Sequence, residues 1–317
     1  MLIIGAPTLD DALAALAAQI AETEGRGQKN FIFCEDRLTL LTERAVLGAT
    51  GGATFSTEVS TFARFLSGER KVLSKAGSVV ALSAIMQEKK DALVCFSETQ
   101  AEAVYETIAQ LLSSRVDASL LRRSAEETEG TLQRKLSDLA LLLEEYEAFL
   151  HEKDLVDENG YLALLPEKIR AGALDGANVF FFGFPSFTAQ AREGVRAAAE
   201  RAASVTGIFL AGRDEFYTNE GARVFKEVLS EYGEFVTVMK KSTQCSEALK
   251  LSGMLFSPEK FASAPESSDK IQYLHAADES QEADSVCALI KKHVREGLRF
   301  CDIAVLGDGG DTLIWEK

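Results

Sequence analysis

The chain has 317 residues, and its 34 basic against 49 acidic residues give a formal net charge of −15. This length is enough for two domains, and the hydrophobic content of 46% is ordinary for a globular protein. An acidic surface weakens non-specific attraction to phosphate backbones, which argues against a free-standing DNA-binding module but allows a local basic groove. No run of 18 apolar residues occurs in the sequence, so we predict no membrane span.

Strand and helix patterns alternate along the first 66 residues. Short apolar segments predict strands, and apolar residues three or four positions apart predict helices. In chain order we predict a strand at 2–4, a helix at 7–24, a strand at 31–34, a helix at 36–47, a strand at 54–60 and a helix starting at 61–66. This alternation is typical of an α/β fold with a doubly wound parallel sheet.

The pattern becomes helical between residues 73 and 153, where no segment predicts a strand. The strongest helix is predicted at 131–153, and its apolar residues are spaced alternately by four and three. This apolar seam consists of Leu132, Leu136, Leu139, Leu143, Tyr146 and Leu150. Such spacing is compatible with a coiled-coil partner. Packing inside the helical block is the favoured interpretation, because Leu141 and Leu142 widen the stripe.

The sheet pattern resumes at residues 178–182, followed by a tight turn at Gly183 and a helix that opens near Thr188. Further elements are predicted as a helix at 189–203, a strand at 205–210, a helix at 222–232 and a strand at 235–239. We therefore predict a first domain made of residues 1–66 and 171–256, split by an all-helical insertion of residues 67–170.

The C-terminal segment begins with a polar linker, predicted at residues 257–269. A strand at 271–275, a helix at 279–296 and a strand at 302–306 would follow as one βαβ unit. This unit is too small to form a doubly wound domain alone. We therefore expect the start of a second domain and a chain that is a piece of a longer protein. The GDGGD sequence at 307–311 lacks the further ligands of an EF-hand, so we predict a loop.

Cysteine and histidine spacing indicates no metal site. The five cysteines include no CxxC pair, and the three histidines are scattered. We expect buried, reduced thiols in a cytoplasmic protein.

Four segments, in this order, carry a family resemblance. They are FIFCEDRLTLLTERAVL with STEVSTFARFLS, then LSKAGSVVALSAIMQEKKDAL, then LQRKLSDLALLLEEYEAFLHEKDLVDENGYLALL with NVFFFGFPSFTAQ, and finally EADSVCALIKKHVREGLRFCDIAVLGD. Together they resemble the N-terminal half of AddB, also called RexB, the B subunit of the bacterial ATP-dependent helicase–nuclease that processes broken DNA ends. The resemblance spans nearly the whole chain.

The resemblance implies a superfamily 1 helicase core, in which a RecA-like domain (1A) with a helical insertion (1B-like) precedes a second RecA-like domain (2A-like) that would begin within residues 257–317. It also implies an AddA-type partner subunit. The nuclease module of the family, with its magnesium and its cysteine-held iron–sulphur cluster, lies in the C-terminal half. We therefore expect no cofactor in this segment and assign none of the five cysteines to a cluster.

Many AddB chains open with a P-loop, GxxxxGK[ST], and here the equivalent turn has the sequence GAPTLDDA. Gly5 matches the first glycine, Asp10 stands for the second, Asp11 for the lysine and Ala12 for the hydroxyl residue. Phe182 stands where the family has the aspartate of a DGF sequence. Carboxylates suit a helix N-terminus but repel a triphosphate. We therefore expect a plainly capped helix, a degenerate nucleotide site and no hydrolysis.

Residues 59–65, with the sequence VSTFARF, match the superfamily 1 motif that contacts single-stranded DNA. Ser60 and Thr61 are candidates to bind a phosphate, Arg64 to add positive charge and Phe62 to stack on a base. The alternative is that Ser60 or Thr61 only caps a helix and that Phe62 belongs to the core.

These features predict a non-hydrolysing, helicase-like scaffold that pairs with an AddA-type motor, contacts single-stranded DNA weakly and helps guide a strand during double-strand-break repair. One alternative is a nucleotide-binding ATPase whose P-loop has drifted beyond recognition. Another is a purely structural α/β interaction protein.

Overall fold

A computed structural model describes residues 1–211, 219–240, 247, 251 and 270–307 of the chain. The described residues up to 240 belong to one unit and those from 247 onwards to a second unit. No helix in these ranges is long and apolar enough to cross a membrane.

The first unit alternates strands and helices on either side of a long insertion. Before the insertion come β1 (Leu2–Ala6), α1 (Leu9–Gly25), β2 (Asn30–Cys34), α2 (Thr39–Ala49), β3 (Thr57–Ser60) and α3 (Phe62–Phe65). The insertion holds β4 (Lys71–Leu73), α4 (Lys75–Glu88), α5 (Ala101–Ser113), α6 (Ala118–Glu126), α7 (Gly130–Glu152), β5 (Leu155–Asp157) and α8 (Leu164–Lys168). After it come β6 (Asn178–Phe182), α9 (Ala189–Arg201), β7 (Ser204–Leu210), α10 (Glu220–Ser230) and β8 (Val236–Met239).

Six strands form one sheet in the order β3–β2–β6–β7–β1–β8, and every neighbouring pair is parallel. Strand β6 lies between β2 and β7, with Asn178 in register with Asn30 on one side and Ser204 on the other. The predicted doubly wound α/β class is therefore confirmed, and the sheet is consistent with a RecA-like fold.

Helices cover both faces of this sheet. On one face Phe180 and Phe182 of β6 pack in a core with apolar residues of α1 and α2. On the other face Val179 and Phe181 pack with residues of α9 and α10. A strand that buries both faces must be apolar at nearly every position, which explains the sequence NVFFF of β6.

The insertion is not wholly helical, which corrects one prediction. Strands β4 and β5 pair in parallel through three residues, Lys71 to Leu155, Val72 to Val156 and Leu73 to Asp157. A three-residue strand is too short to show a period of two in sequence, so pattern alone missed both.

The apolar seam of α7 packs inside the insertion, as the favoured interpretation predicted. Leu143 and Tyr146 are fully buried in the core of the insertion, together with residues of α4, α5 and α6. Leu132, at the start of the seam, is 55% exposed. The seam is therefore internal from its middle onwards.

The second unit contains a helix where one was predicted, α11 (Glu279–Arg295). The strands predicted at 271–275 and 302–306 are wrong, because neither segment forms a strand in the described part of this unit. A strand is defined by ladder bonds to a neighbour, and β-propensity does not supply that neighbour. Residues 257–269 and most of the GDGGD sequence lie outside the described residues, so the linker and the domain boundaries stay predictions.

The cysteines differ in exposure. Cys34 is buried, Cys95 and Cys287 are half-buried and Cys301 is exposed, while Cys245 lies outside the described residues. The expectation of buried thiols is therefore wrong for Cys301.

Candidate functional site

Three turns of interest lie along one edge of the sheet. They follow the carboxyl ends of β1, β3 and β6, and they share an edge because all six strands are parallel. Strand β7 separates β1 from β6. Ligands of doubly wound folds bind at this carboxyl edge, and the predicted site residues lie at or beside it.

The turn after β1 is closed by its own side chains. Thr8 is the N-cap of α1, and its hydroxyl oxygen accepts a hydrogen bond from the Asp11 backbone N–H at 3.1 Å. The same hydroxyl donates to Oδ2 of Asp11 at 2.6 Å. Asp11 is buried, whereas Asp10 beside it is exposed. The capped helix predicted from the sequence is present, and Thr8 makes the cap.

Gly5 and Ala12 both pack closely beside this turn. A Cβ atom on Gly5 would lie 2.6 Å from Sδ and Cε of Met239, so the Met239 side chain of the edge strand lies across the glycine. Ala12 is buried in the core between the sheet and α1, with its backbone N–H bonded to the Thr8 carbonyl at 3.0 Å.

The turn after β6 begins at a fully buried ring. Phe182 has no exposed surface and packs with residues of α1 and α2. Gly183 follows with a φ of 77°, a left-handed conformation that favours glycine. A Cβ there would lie 2.4 Å from Cδ1 of Leu38, and the Gly183 N–H donates to the Ile208 carbonyl at 2.9 Å.

These residues do not fit a magnesium-bound triphosphate. Such a ligand needs an ammonium and a hydroxyl in the first turn of the helix after β1, and a carboxylate at the end of a nearby strand. Asp11 supplies a negative charge, Ala12 a methyl group and Phe182 a buried ring. This edge therefore offers a nucleotide neither the cation nor the metal-binding hydroxyl that phosphoryl transfer needs.

The turn after β3 places its two hydroxyl residues inside the protein. Ser60 and Thr61 are both buried. The Thr61 hydroxyl accepts a hydrogen bond from the Arg64 backbone N–H at 3.2 Å and so caps α3, while the Ser60 hydroxyl donates to the Thr61 carbonyl at 3.3 Å. A phosphate contact by the Ser60 hydroxyl requires its bond to the Thr61 carbonyl to be exchanged, whereas the Thr61 cap uses only an acceptor lone pair of that hydroxyl.

Phe62 lies in an aromatic cluster. Its ring is half-buried and stacks on Phe184 with 5.1 Å between centroids and 16° between planes. The ring centroids of Phe33 and Phe181 lie 5.0 Å and 6.4 Å away. The structure thus joins Phe62 to the turn after β6, and one part of its surface remains open to solvent.

Arg64 is the exposed cation of this turn. Its guanidinium lies 3.7 Å from Oε1 of Glu43 on α2, and the two side chains are 56% and 43% exposed. The separation exceeds hydrogen-bond distance, so this is an ion pair without a hydrogen bond. Helix α2 follows β2 and α3 follows the neighbouring strand β3, and the register of these strands pairs Phe33 with Ser60.

Sequence analysis missed three side chains that shape this edge. Glu43 pairs with Arg64, Met239 covers Gly5 and Leu38 covers Gly183. Leu38 and Glu43 follow the carboxyl end of β2 in the sequence, and this position alone predicts that they lie near this edge. The pairing partner of each depends on strand order, which sequence spacing does not give.

Comparison with known proteins identifies the family. The family model described as "ADDB, N-terminal" matches residues 14–266 of the chain. The chain belongs to the AddB N-terminal family. The resemblance inferred from its four segments is therefore confirmed.

Relatives of the chain share one name, which describes the B subunit of an ATP-dependent helicase/deoxyribonuclease. The protein from Symbiobacterium thermophilum is 28% identical across 74% of this chain, and the one from Listeria monocytogenes is 23% identical across 92%. The protein from Moorella thermoacetica is 34% identical across 43% of the chain and 13% of its own length. The chain spans about a quarter of the first two relatives, 23% and 28% of their lengths.

Proposed function

We propose that this chain is the non-hydrolysing, helicase-like scaffold segment of an AddB-type subunit. It would act with an AddA-type motor subunit in the processing of DNA double-strand-break ends. Membership of the AddB N-terminal family is the observation that carries the family part of the proposal. The relatives, whose shared name makes them one subunit of a helicase/deoxyribonuclease, support a role inside a complex.

The non-hydrolysing part rests on two strand ends of the same sheet edge. After β1 the first helical turn contains Asp10 and Asp11, and the Asp11 carboxylate is bonded to the Thr8 hydroxyl. At the end of β6 Phe182 is buried among apolar side chains. Neither strand end complements the charge of a magnesium-bound triphosphate. This favours a degenerate nucleotide site, with no cofactor bound in this segment.

A strand contact is proposed at residues 60–64. Arg64 is the exposed cation of this turn, and the open surface of Phe62 is available for stacking on a base. The net charge of −15 of the chain opposes binding of a polyanion anywhere else on the surface. We therefore expect weak, salt-sensitive affinity for single strands. Guidance of a strand that is moved by a separate motor needs contacts of this weak kind.

Calorimetric titration with ATP and Mg²⁺ tests the non-hydrolysing part. We expect no saturable heat at millimolar ATP and no DNA-stimulated phosphate release, with the AddA-type protein of the same organism as the positive control. Saturable binding, or hydrolysis absent from a heat-treated sample, would instead establish the drifted-P-loop ATPase.

Co-purification with the same AddA-type protein tests the scaffold role. We expect a complex of the two proteins that survives gel filtration at moderate salt. Absence of both this complex and single-strand binding would leave the purely structural α/β protein as the better description.

A further inference from the structure

The carboxylate of Glu43 lies beside the exposed cation of the proposed strand contact. Glu43 Oε1 lies 3.7 Å from Nη1 of Arg64. Among the described residues it is the only carboxylate in ion-pair distance of Arg64. The pair makes no hydrogen bond, so the guanidinium N–H groups remain available to an incoming oxyanion.

Two neighbouring carboxylates are engaged with other cations. Glu35, just after β2, forms a 2.7 Å ion pair with Arg37. Glu69, beyond α3, forms a 2.6 Å ion pair with Lys168. Glu43 is therefore the carboxylate paired with Arg64, while Lys168, paired with Glu69, donates a 2.6 Å hydrogen bond to the Phe65 carbonyl just beyond residues 60–64.

The buried thiol of Cys34 responds to both charges. Burial is the main cause that raises the pKa of Cys34, and Glu43 raises this pKa further while Arg64 lowers it. Cys34 is the last residue of β2, next to β3 in the sheet. Both charges therefore act on the end of β2, the neighbour of strand β3, which the proposed DNA contact follows.

We propose that Glu43 is an internal competitor for the phosphate group at Arg64, which keeps the strand contact of residues 60–64 weak and readily exchanged. This inference rests on the proposed function of that turn. When a single strand arrives, a phosphate oxygen accepts hydrogen bonds from the guanidinium, and Glu43 turns to water. When the strand advances, Glu43 returns and neutralises Arg64.

The size of the effect follows from the distances. With Glu43 still in its ion-pair position, a phosphate bound on the far side of the Arg64 guanidinium would stand about 7 Å from the Glu43 carboxylate, since a charge-assisted hydrogen bond adds about 3 Å to the ion-pair separation. Repulsion between two unit charges at that distance in water changes an affinity about threefold. Removal of the Glu43 charge should therefore strengthen single-strand binding by about that factor at low salt.

Fluorescence anisotropy with a labelled deoxythymidine oligonucleotide tests this proposal, using the whole chain. We expect Glu43→Gln to bind about threefold more tightly than wild type at low salt, with the gain fading at moderate salt. Glu35→Gln is the matched control, because it removes the same charge near the same strand end but frees Arg37. In the Glu43→Gln/Arg64→Gln double variant the gain should disappear.

The outcomes separate this inference from the function on which it rests. If wild type binds and Arg64→Glu does not, but Glu43→Gln equals wild type, the competitor role is overturned while the strand contact stands. An equal gain from Glu35→Gln also overturns it, since the lower negative charge, or any arginine freed at this edge, would then explain the change without a specific role for Glu43. Absence of binding by wild type and Glu43→Gln alike overturns both.

Discussion

The hydroxyl of Tyr146 donates a 2.7 Å hydrogen bond to Oδ2 of Asp157, and both side chains are buried. The hydroxyls of Ser78 and Tyr105 donate to the same oxygen at 3.1 Å and 3.0 Å. The backbone N–H of Asn159 donates to Oδ1 at 2.7 Å. One carboxylate thus joins α4, α5 and α7 to the strand β5 in the later part of the insertion.

The Tyr146 contact predicts a loss of stability in alkali. Burial, and then the Asp157 carboxylate, hold the pKa of Tyr146 well above its ordinary value of about 10. Above that pH the unfolded chain releases the phenolic proton while the folded chain keeps it, so the free energy of unfolding falls as pH rises. Denaturant unfolding between pH 8 and 11 should show this slope, and Tyr146→Phe should reduce it.

Tyr146→Phe should also lower stability at neutral pH by about 1–2 kcal/mol, because it deletes one bond to a buried carboxylate. Tyr273→Phe is the control, since Tyr273 is 89% exposed. An alkaline slope that is the same in wild type and Tyr146→Phe would show that this hydroxyl does not couple folding to protonation.

The core of the insertion gives a second prediction. Leu143→Asp places a carboxylate at a fully buried position of α7 and should reduce the free energy of unfolding by several kcal/mol. Leu132→Asp changes the same residue type on the same apolar seam at an exposed position and should have little effect. Urea unfolding of both variants measures the difference. Equal stability of the two would mean that the seam faces solvent, which would favour a partner helix.

Phe182→Asp gives a third prediction, because it introduces the acid that the resemblance to the family predicts for this strand end. We expect no gain of ATP hydrolysis and a loss of several kcal/mol in stability, since the new carboxylate replaces a buried ring in the core shared with α1 and α2. Phe55→Asp, at a fully exposed phenylalanine, should be neutral. A stable Phe182→Asp protein with measurable ATPase would contradict the proposed loss of the site.

The strand contact gives a fourth prediction. Arg64→Glu should remove most single-strand binding, because it deletes one cation and adds a repulsive charge beside Glu43. Arg134→Glu makes the same change in net charge at an exposed position of α7 and should bind nearly as wild type does. The salt slope should be shallow, about 0.7 per neutralised phosphate. Tight binding that ignores salt, or normal binding by Arg64→Glu, would place the strand elsewhere.

Strong local patterns predicted most of the fold. The sequence NVFFF predicted β6 to the residue, and α1, α7, α9 and α11 lie within a few residues of their predicted bounds. The short pair β4 and β5 was missed because each strand has three residues. The strands predicted at 271–275 and 302–306 were wrong, because apolar composition does not specify a pairing partner.

The candidate site was predictable in part. The resemblance to the family pointed to Asp11 and Phe182 as positions of the degenerate nucleotide site. A carboxylate and a phenyl ring differ from the expected lysine and aspartate whatever the surrounding structure is. Contacts between elements were not predictable, because Glu43 meets Arg64 only through the pairing of β2 with β3. Burial of Ser60 and Thr61 likewise depends on the depth at which β3 ends in the sheet.

The strand order has a consequence for synthesis on the ribosome. Asn30 of β2 bonds to Asn178 of β6, 148 positions later, and Leu2 of β1 pairs with Thr206 and Val236. At translation rates of roughly 5–20 residues per second, β2 waits about 7–30 s for β6, while β1 has no neighbour until β7 emerges. The insertion is complete before then. Its own core can therefore form first, and it brings the two halves of the sheet together as a folded loop rather than as a long flexible one.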